Sequence, residues 1–387
     1  MCEERLRILH VCAVGITARA FLLPILQELG RQGYEVWLAC SEDADARYVA
    51  GQGVLYFPVR ISRRISVLDA FAVVRLCRFI CARRFHVVVG HTSKGAFVGR
   101  LAAWLARVPY IIYTVHGFLI HEQWKPVRWM YAVVERWLGR RTTLFVTVTE
   151  RVRGYLVEHG IGRAEAIVTI YNGVDVERFC RDRVSEGVRR GLLRAWGVPE
   201  GAVVIGTLAR LVEGKGLEDL IAAFERVRRR CREEETVLIV GGDGEMRGRL
   251  EEQAKRLGIK EWVRFIGWRE DVPAGLGCFD VFCLPTLGEG FGYVFMEAQA
   301  MGVAVVATKI EPLTETMSDG ETALLVKPRD VEGIAEALER CVRDRELREE
   351  LGRRGCKRVR EEFSVERQLA EVRRLYERVR GEVFAMR

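Results

Sequence analysis

Two carboxylates, Glu289 and Glu297, close a short glycine-rich segment, Glu289-Gly-Phe-Gly-Tyr-Val-Phe-Met-Glu297, which follows Pro285-Thr-Leu-Gly288. Gly288, Gly290 and Gly292 let backbone come close to a ligand. From about Tyr293 the residues Val294, Met296, Ala298, Ala300 and Met301 read as a buried helix, so Glu289 falls in the loop and Glu297 about one turn inside the helix. Unsatisfied N–H groups at such a helix start suit a phosphate. Carboxylates accept hydrogen bonds from sugar and ribose hydroxyls. An anion cradle flanked by two hydroxyl readers is what a nucleotide-sugar needs. The plainer alternative is an ordinary loop followed by a solvated helix glutamate, and one Gly-rich loop does not decide between them.

A second loop strengthens the first. Gly206-Thr-Leu-Ala-Arg-Leu-Val-Glu-Gly-Lys-Gly216 follows a buried strand and places Arg210 and Lys215 ahead of a helix. Two fixed cations there would neutralise a diphosphate leaving group. Gly241-Gly-Asp-Gly244 follows the next buried strand, where glycines permit close backbone approach or simply a tight turn. Arg264–Trp268 ends another strand; its neighbourhood could accept a base, or Trp268 could pack. In the amino half, Tyr113-Thr-Val-His-Gly117 puts His116 at the carboxyl edge of a strand, where an imidazole can donate to a sugar hydroxyl or orient an acceptor. A satisfied core histidine is the alternative there. His91-Thr-Ser-Lys94 ends the preceding strand in the same manner, with the cation Lys94 expected to face the same cleft. Gly15 and Thr17 follow the first strand.

These residues need a frame that gathers strand ends. Arg7–Val14 is a nearly continuous apolar run, as expected of a buried parallel strand. A helix over Ala18–Gly30, a strand over Glu35–Cys40, a helix over Leu68–Arg83, a strand over His86–Val89 and a helix over Gly95–Ala106 follow. Tyr110–Thr114 (strand), Lys125–Leu138 (helix), Leu144–Val148 and Ile167–Tyr171 (strands) complete the first half. Residues Asp175–Gly201 read as a charged linker with a short helix. The alternation then resumes: strands at Val203–Leu208, Thr236–Val240, Val263–Ile266, Val281–Leu284, Val303–Ala307 and Leu324–Val326, with helices at Leu217–Arg229, Met246–Leu257, Val294–Met301 and Val331–Arg343. A last helix over about Val365–Arg380 shows helical periodicity at Leu369, Val372, Leu375, Tyr376 and Val379. Such alternation predicts an α/β fold of two doubly wound domains facing across a cleft, with ligands beyond the carboxyl ends of the strands.

Composition narrows the function. At 387 residues, 49% apolar and 29% charged, the chain is a globular protein long enough for two domains. The net charge of +8 favours phosphorylated small molecules, polyanions or acidic membranes. No zinc-finger, RNA-binding-sheet or basic-zipper pattern supports nucleic acid as a partner. Eleven scattered cysteines read as structural thiols in a reducing cytosol, with no zinc-type spacing. No apolar run reaches the roughly 18 residues of a spanning helix. The Ile8–Leu26 run, interrupted by His10, Arg19 and Pro24, reads as strand, turn and helix, not as a signal peptide. Trp124, Trp129, Tyr131 and Trp137 lie among Lys125, Arg128, Arg136, Arg140 and Arg141. That mixture suits a membrane interface, and core packing under a basic outer face suits it too.

With these motifs in this order, the chain resembles glycosyltransferase family 4, of the GT-B architecture, over nearly its whole length. The Glu-x7-Glu signature stands as Glu289 to Glu297, followed by Ala298-Gln-Ala-Met-Gly302; Arg210-Leu-Val-Glu-Gly-Lys215 looks like the family's paired phosphate-binding cations; Asn172-Gly-Val-Asp175 with Phe179 is similar to the segment leading into the linker. Many members carry a glycine pair in the first loop, whereas Val14-Gly-Ile-Thr17 has one. The combination of Val14-Gly-Ile-Thr-Ala18, His91-Thr-x-Lys94 and Thr114-Val-His-Gly-Phe118 looks like the capsule and exopolysaccharide branch.

The resemblance implies a retaining transferase that needs no metal or cofactor and uses a nucleotide-diphosphate sugar, a UDP-sugar being favoured. It implies a glycan or polyprenyl-diphosphate-linked acceptor, and a cytoplasmic place at the inner face of the plasma membrane. His116, Arg210, Lys215 and Glu289 become the catalytic set. Gly15, Arg210, Lys215, Gly290, Phe291, Gly292 and Glu297 become the donor-binding set, and Thr17, His91 and Lys94 the acceptor or cleft candidates. The expected domains are residues 1–178 for the acceptor, 179–364 for the donor, and 365–387 as a helix packing back on the first domain. A nucleotide-sugar 2-epimerase of the same architecture is the rival enzyme. A nicotinamide oxidoreductase would need G-x-G-x-x-G in the first loop, which is absent. A non-enzymatic scaffold would have no use for the intact Arg210, Lys215, Glu289 and Glu297.

Overall fold

The computed structural model describes residues 5–62, 68–116 and 125–386. The chain divides into two compact units, Met1–Tyr171 with Glu366–Arg387, and Asn172–Val365.

The first unit is built on a parallel sheet of strands β1 (Arg7–Val11), β2 (Glu35–Cys40), β3 (Leu55–Pro58), β4 (Val87–His91), β5 (Tyr110–Val115), β6 (Leu144–Thr147) and β7 (Ile167–Thr169). Their order across the sheet is β3-β2-β1-β4-β5-β6-β7. All five residues of β4 are buried, because helices cover both faces and a parallel strand so placed meets no water. On one face Leu22, Leu26 and Leu29 pack with Val372, Leu375, Tyr376, Val379 and Val383 of the last helix, Val365–Ala385. The spacing of those five residues follows the helical repeat, so one stripe is buried. The opposite face is covered by Ala72, Val73, Leu76 and Ile80 from helix Leu68–Arg83 and by Val98, Ala102 and Ala103 from helix Thr92–Leu105. Each Val, Leu or Ile among them, fully buried, contributes roughly 1.5–3 kcal/mol, and each Ala less.

The second unit repeats the plan with β8 (Val203–Leu208), β9 (Thr236–Gly241), β10 (Val263–Gly267), β11 (Val281–Leu284), β12 (Ala304–Thr308) and β13 (Leu324–Val326), all parallel. The order β10-β9-β8-β11-β12-β13 reverses direction between β8 and β11. The loops that leave those two strands therefore part to opposite faces and open a crevice at their carboxyl ends, where α/β sheets take ligands.

Several elements differ from the sequence expectation. The single helix expected over Ala18–Gly30 is a π-turn, Ala18–Leu22, running into helix Leu23–Arg31. Helix Ala44–Gly51, strand β3 and helix Glu150–Glu158 are additional. The short helix expected within the linker is present as Glu186–Ala195, capped by the Ser185 side chain. Helix Arg345–Glu362 is the largest addition. Its buried positions are Leu351, Gly352, Gly355 and Val359. A Cβ at Gly352 would sit 2.1 Å from the Gly302 carbonyl oxygen, so two of its four core contacts are made by backbone rather than by apolar side chains. An apolar periodicity cannot register them.

Candidate active site

Three loops of the second unit are laced together at the carboxyl ends of β8, β9 and β11. The Leu287 N–H donates to the Gly214 carbonyl at 2.7 Å, and the Leu211 N–H donates to the Asp243 carbonyl at 2.9 Å. Gly216 adopts φ +67°, and a Cβ there would lie 1.9 Å from the Pro285 carbonyl oxygen. Gly242, at φ +127°, comes as close to the Ala209 carbonyl oxygen, at 1.8 Å. Only glycine permits both the left-handed backbone and this approach. The loop glycines thus hold the neighbouring segments in place, beyond any contact with a ligand.

This lacing brings Lys215, from the loop after β8, to Glu289, from the loop after β11: Nζ and Oε1 are 2.5 Å apart, with both side chains largely buried. The pair bridges the crevice at the point where the strand order reverses. Arg210 lies exposed in the first of these loops, and its guanidinium makes no ion pair among the described residues. Gly292, at φ +87°, caps helix Tyr293–Ala300, which starts directly after the loop that carries Glu289. A Cβ at Gly292 would meet Leu313 Cδ2 at 2.6 Å. Gly290 is half-buried in the same loop. Phe291 was expected among donor-binding residues; its ring is buried between Tyr293 and Phe363, so only its backbone is left to meet a ligand.

Glu297 sits on the fifth residue of that helix, deep in the unit but with some of its surface open. Burial raises its carboxyl from the usual 4.5 to about 7, opposed by the Arg178 charge. Sequence reasoning missed Arg178. It lies three residues after the Asn172-Gly-Val-Asp175 segment, where the Asp175 carboxylate accepts its N–H and turns the chain toward Glu297. The signal was that segment, but the proximity to Glu297 is tertiary. Trp268, just beyond β10, is exposed, whereas Arg264 is spent on the Trp196, Gly197 and Glu261 carbonyls.

In the first unit, His116 follows β5 directly and is half-buried, with its ring 6.3 Å from that of Phe21. Burial lowers its pKa to about 4. Its Nε2 faces His91 Nδ1 at 3.4 Å. His91, expected to face a ligand, is instead buried with both ring nitrogens engaged, because its neighbours His10 and His116 enclose it. Lys94, expected as a cleft cation, is ion-paired with Asp69 of helix Leu68–Arg83, and both side chains are largely buried. Gly15, expected to offer its backbone to the donor, gives its N–H to the Asp43 carboxylate at 2.8 Å. Asp43 also caps helix Ala44–Gly51 through Ala46, and a Cβ at Gly15 would collide with it. Thr17 is half-buried in the short helix Gly15–Thr17. Gly117, Phe118 and Trp124 fall outside the described residues.

Two Rossmann-like units, the second with a lysine–glutamate pair at its switch point, are a frame that suits a nucleotide-dependent group-transfer enzyme. Comparison with known proteins narrows the class. Residues 189–358 match the family described as glycosyl transferases group 1, and residues 17–173 match the glycosyl transferase 4-like domain. The chain is 25% identical, over 89% of its length and 90% of the relative's, to the UDP-Gal:alpha-D-GlcNAc-diphosphoundecaprenol alpha-1,3-galactosyltransferase of Escherichia coli. It is 27% identical, over 88% of each chain, to the capsular polysaccharide biosynthesis glycosyltransferase CapM of Staphylococcus aureus. Its fold matches that of Anabaena Alr3699/HepE, solved in complex with UDP-glucose, with a TM-score of 0.82 over 96% of this chain and all of that one, at 21% identity. The chain belongs to the family 4 glycosyltransferases of GT-B fold, and it is a glycosyltransferase.

Proposed function

We propose that the protein transfers a sugar, with retention of anomeric configuration, from a UDP-sugar to a glycan or polyprenyl-diphosphate-linked acceptor during cell-surface polysaccharide synthesis. The second unit binds the donor and the first the acceptor. The observation that carries this reading is the Lys215–Glu289 pair across the β8–β11 switch point, with Arg210 in the same loop as Lys215 and a helix start shortly after Glu289. A diphosphate entering there takes over the Lys215 ammonium and meets the Arg210 guanidinium and the N–H groups of helix Tyr293–Ala300. Glu289, released from Lys215, accepts hydrogen bonds from the sugar, and Glu297 accepts them from the ribose hydroxyls.

The acceptor hydroxyl attacks the anomeric carbon on the face from which the phosphate leaves. The bond from that carbon to the acceptor oxygen forms as its bond to the diphosphate breaks, and the acceptor proton passes to the departing phosphate oxygen. The two cations and the helix start absorb the charge that develops on the diphosphate; one well-placed group of this kind is worth about 10²–10³ in rate. Within the first unit, His116 is the residue that contacts the acceptor substrate.

An exposed face on the first unit supports work at the inner surface of the plasma membrane. Trp129, Met130, Val133 and Trp137 form one stripe of helix Lys125–Gly139, extended by Trp104 and Leu105. The Arg141 guanidinium lies 4.0 Å from the Trp137 ring and 4.9 Å from that of Trp104, which joins cation to aromatic as an anionic lipid surface requires. No helix among the described residues is long and apolar enough to cross a membrane.

Titration calorimetry with UDP, GDP and ADP, together with a transfer assay that reads product configuration by NMR, tests the assignment. Tight binding of UDP alone, an axial product from an axial donor, and at least a hundredfold loss in Lys215→Ala, Arg210→Ala and Glu289→Ala are expected. Unchanged turnover in all three variants overturns the assignment of the site.

A further inference from the structure

Three histidines of the first unit form a chain of hydrogen bonds. His10 in β1 pairs in register with Val89 of β4, and His91 lies two residues further along β4. His91 in turn pairs with Thr114 of β5, and His116 lies two residues beyond Thr114. Residues two apart on a strand point to the same face. The three rings therefore step diagonally across three adjacent strands on the face covered by the last helix. His10 Nδ1 is 2.9 Å from His91 Nε2, with the ring planes 14° apart, and His91 Nδ1 is 3.4 Å from His116 Nε2. The inner end abuts Tyr376 of the last helix, whose ring centroid is 6.5 Å from that of His10. His10 Nε2 is buried with no hydrogen-bond partner among the described residues.

We propose that His10 and His91 are positioning residues that fix the tautomer of His116, so that its Nδ1–H is held out as a hydrogen-bond donor to the substrate. This rests on the reading above in which His116 meets the substrate. Burial holds His10 and His116 far below the usual imidazole range and His91 lower still than its ordinary value, so all three rings are neutral near pH 7. Each neutral ring has one N–H, and His91 has both nitrogens in the chain, so the two hydrogen bonds must run in one direction. Run inward, they leave His10 with a buried N–H that has no acceptor. Run outward, they leave only a bare lone pair there. A buried unpaired N–H is the rarer and costlier defect. Outward polarity follows: His10 Nδ1–H donates to His91, His91 Nδ1–H donates to His116 Nε2, and the remaining proton of His116 sits on Nδ1.

The backbone on either side of His91 is tightly held. Thr92, directly after it, adopts a left-handed φ of +57°, an uncommon conformation for a β-branched residue that must be maintained by its surroundings. Helix Thr92–Leu105 presses so closely on the sheet that a Cβ at Gly90 would lie 2.5 Å from Ala96 Cα, and one at Gly95 2.6 Å from Cys12 Cα. His91 itself is buried and does not reach solvent. The three imidazoles join side by side, and among the described residues no group of three has the arrangement of a metal site.

The test has a spectroscopic arm and a kinetic arm. Two-bond ¹H–¹⁵N correlation spectra of the whole protein with labelled histidine report which ring nitrogen carries the proton. His86 serves as an internal standard for the opposite tautomer, because its Nδ1 accepts the Arg7 N–H, and His159 for the same one, because its Nδ1 faces the Tyr155 carbonyl. His10, His91 and His116 should all appear as Nδ1–H. In the kinetic arm, His10→Asn keeps an N–H donor in the place of Nδ1, while His10→Leu keeps only the packing against Tyr376. Leu should lower kcat about tenfold with KM unchanged, the size of one lost aligned hydrogen bond, and Asn should restore most of it. A merely structural role predicts the reverse order, since Leu fills an apolar site and Asn buries an unpaired carbonyl.

A proton found on His116 Nε2, or equal kcat in the Asn and Leu variants, overturns the relay. Expected tautomers together with full transfer by His116→Phe would instead show that His116 does not meet the substrate, which defeats the underlying reading and leaves the chain of rings without a catalytic role.

Discussion

Glu297→Gln should make the free protein more stable and the binding site worse. The folded-state carboxyl titrates at about 7 against an ordinary 4.5. Over that window the folded chain holds a proton that the unfolded chain has lost, so stability is highest below about 4.5 and falls as pH rises to about 7. A displacement of that size corresponds to roughly 3 kcal/mol, the cost of ionising a carboxylate away from water with partial compensation from the Arg178 charge. Glutamine keeps the shape without the charge. At pH 8 the variant should therefore be more stable than the parent by up to about 3 kcal/mol, and at pH 4.5 the two should agree. Urea unfolding across that range measures it.

Binding should show the opposite sign. Ribose hydroxyls donate to the anion and pull its pKa back down, so donor affinity should climb as pH rises towards about 7 and then level off. UDP-glucose is the probe of choice, because it carries no group that titrates in this window, unlike the terminal phosphate of UDP. Calorimetry in buffers of different ionisation enthalpy should detect proton release on binding near pH 6 in the parent and none in Glu297→Gln. A parent whose stability and affinity are both flat from pH 5 to 8, or a variant that keeps either slope, would refute the account of a buried, protonated carboxyl.

Other perturbations test the frame. Gly216→Ala forces a left-handed backbone and a collision with the Pro285 carbonyl, so it should cost more than about 2 kcal/mol in urea unfolding and separate Lys215 from Glu289. Arg100 and Glu135 form an almost fully buried ion pair in the first unit. Arg100→Met alone should cost about 3–5 kcal/mol, because it strands the carboxylate, while Arg100→Met with Glu135→Leu should recover much of the loss; equal unfolding midpoints for single and double variants would contradict this. Trp129→Ser with Trp137→Ser should abolish sedimentation with vesicles rich in anionic phospholipid and leave transfer to a soluble acceptor analogue intact; retained sedimentation removes the helix from the membrane contact.

Much of the candidate site in the second unit was legible because its signals are local. The Gly292 turn into a helix, the carboxylates in loop and helix, and the two cations after β8 each occupy a few consecutive residues with fixed chemistry. The strands were legible for a similar reason, since a parallel strand covered on both faces must be apolar along its length. Elements whose burial is not apolar escaped notice. β3 is a four-residue edge strand ending in Pro58, and helix Arg345–Glu362 packs through Gly352 and Gly355. The first-unit candidates fared differently. Gly15 and Lys94 have the right types and positions, but Asp43 and Asp69, distant in sequence, already take their donors.

The histidines mark the division most sharply. Sequence alone placed His91 and His116 at strand ends and treated His10 as an interruption in an apolar run. Strand register then set them on one diagonal, and a register is fixed by pairings among segments some 25 to 80 residues apart, which a local pattern does not encode. Residue type and spacing determined that this chain would present acids, cations and glycines at the ends of buried strands. Only the packed sheet decided which of those groups pair with one another, which remain for a ligand, and how deeply Glu297 is removed from water, because burial and partnership are properties of the assembled core.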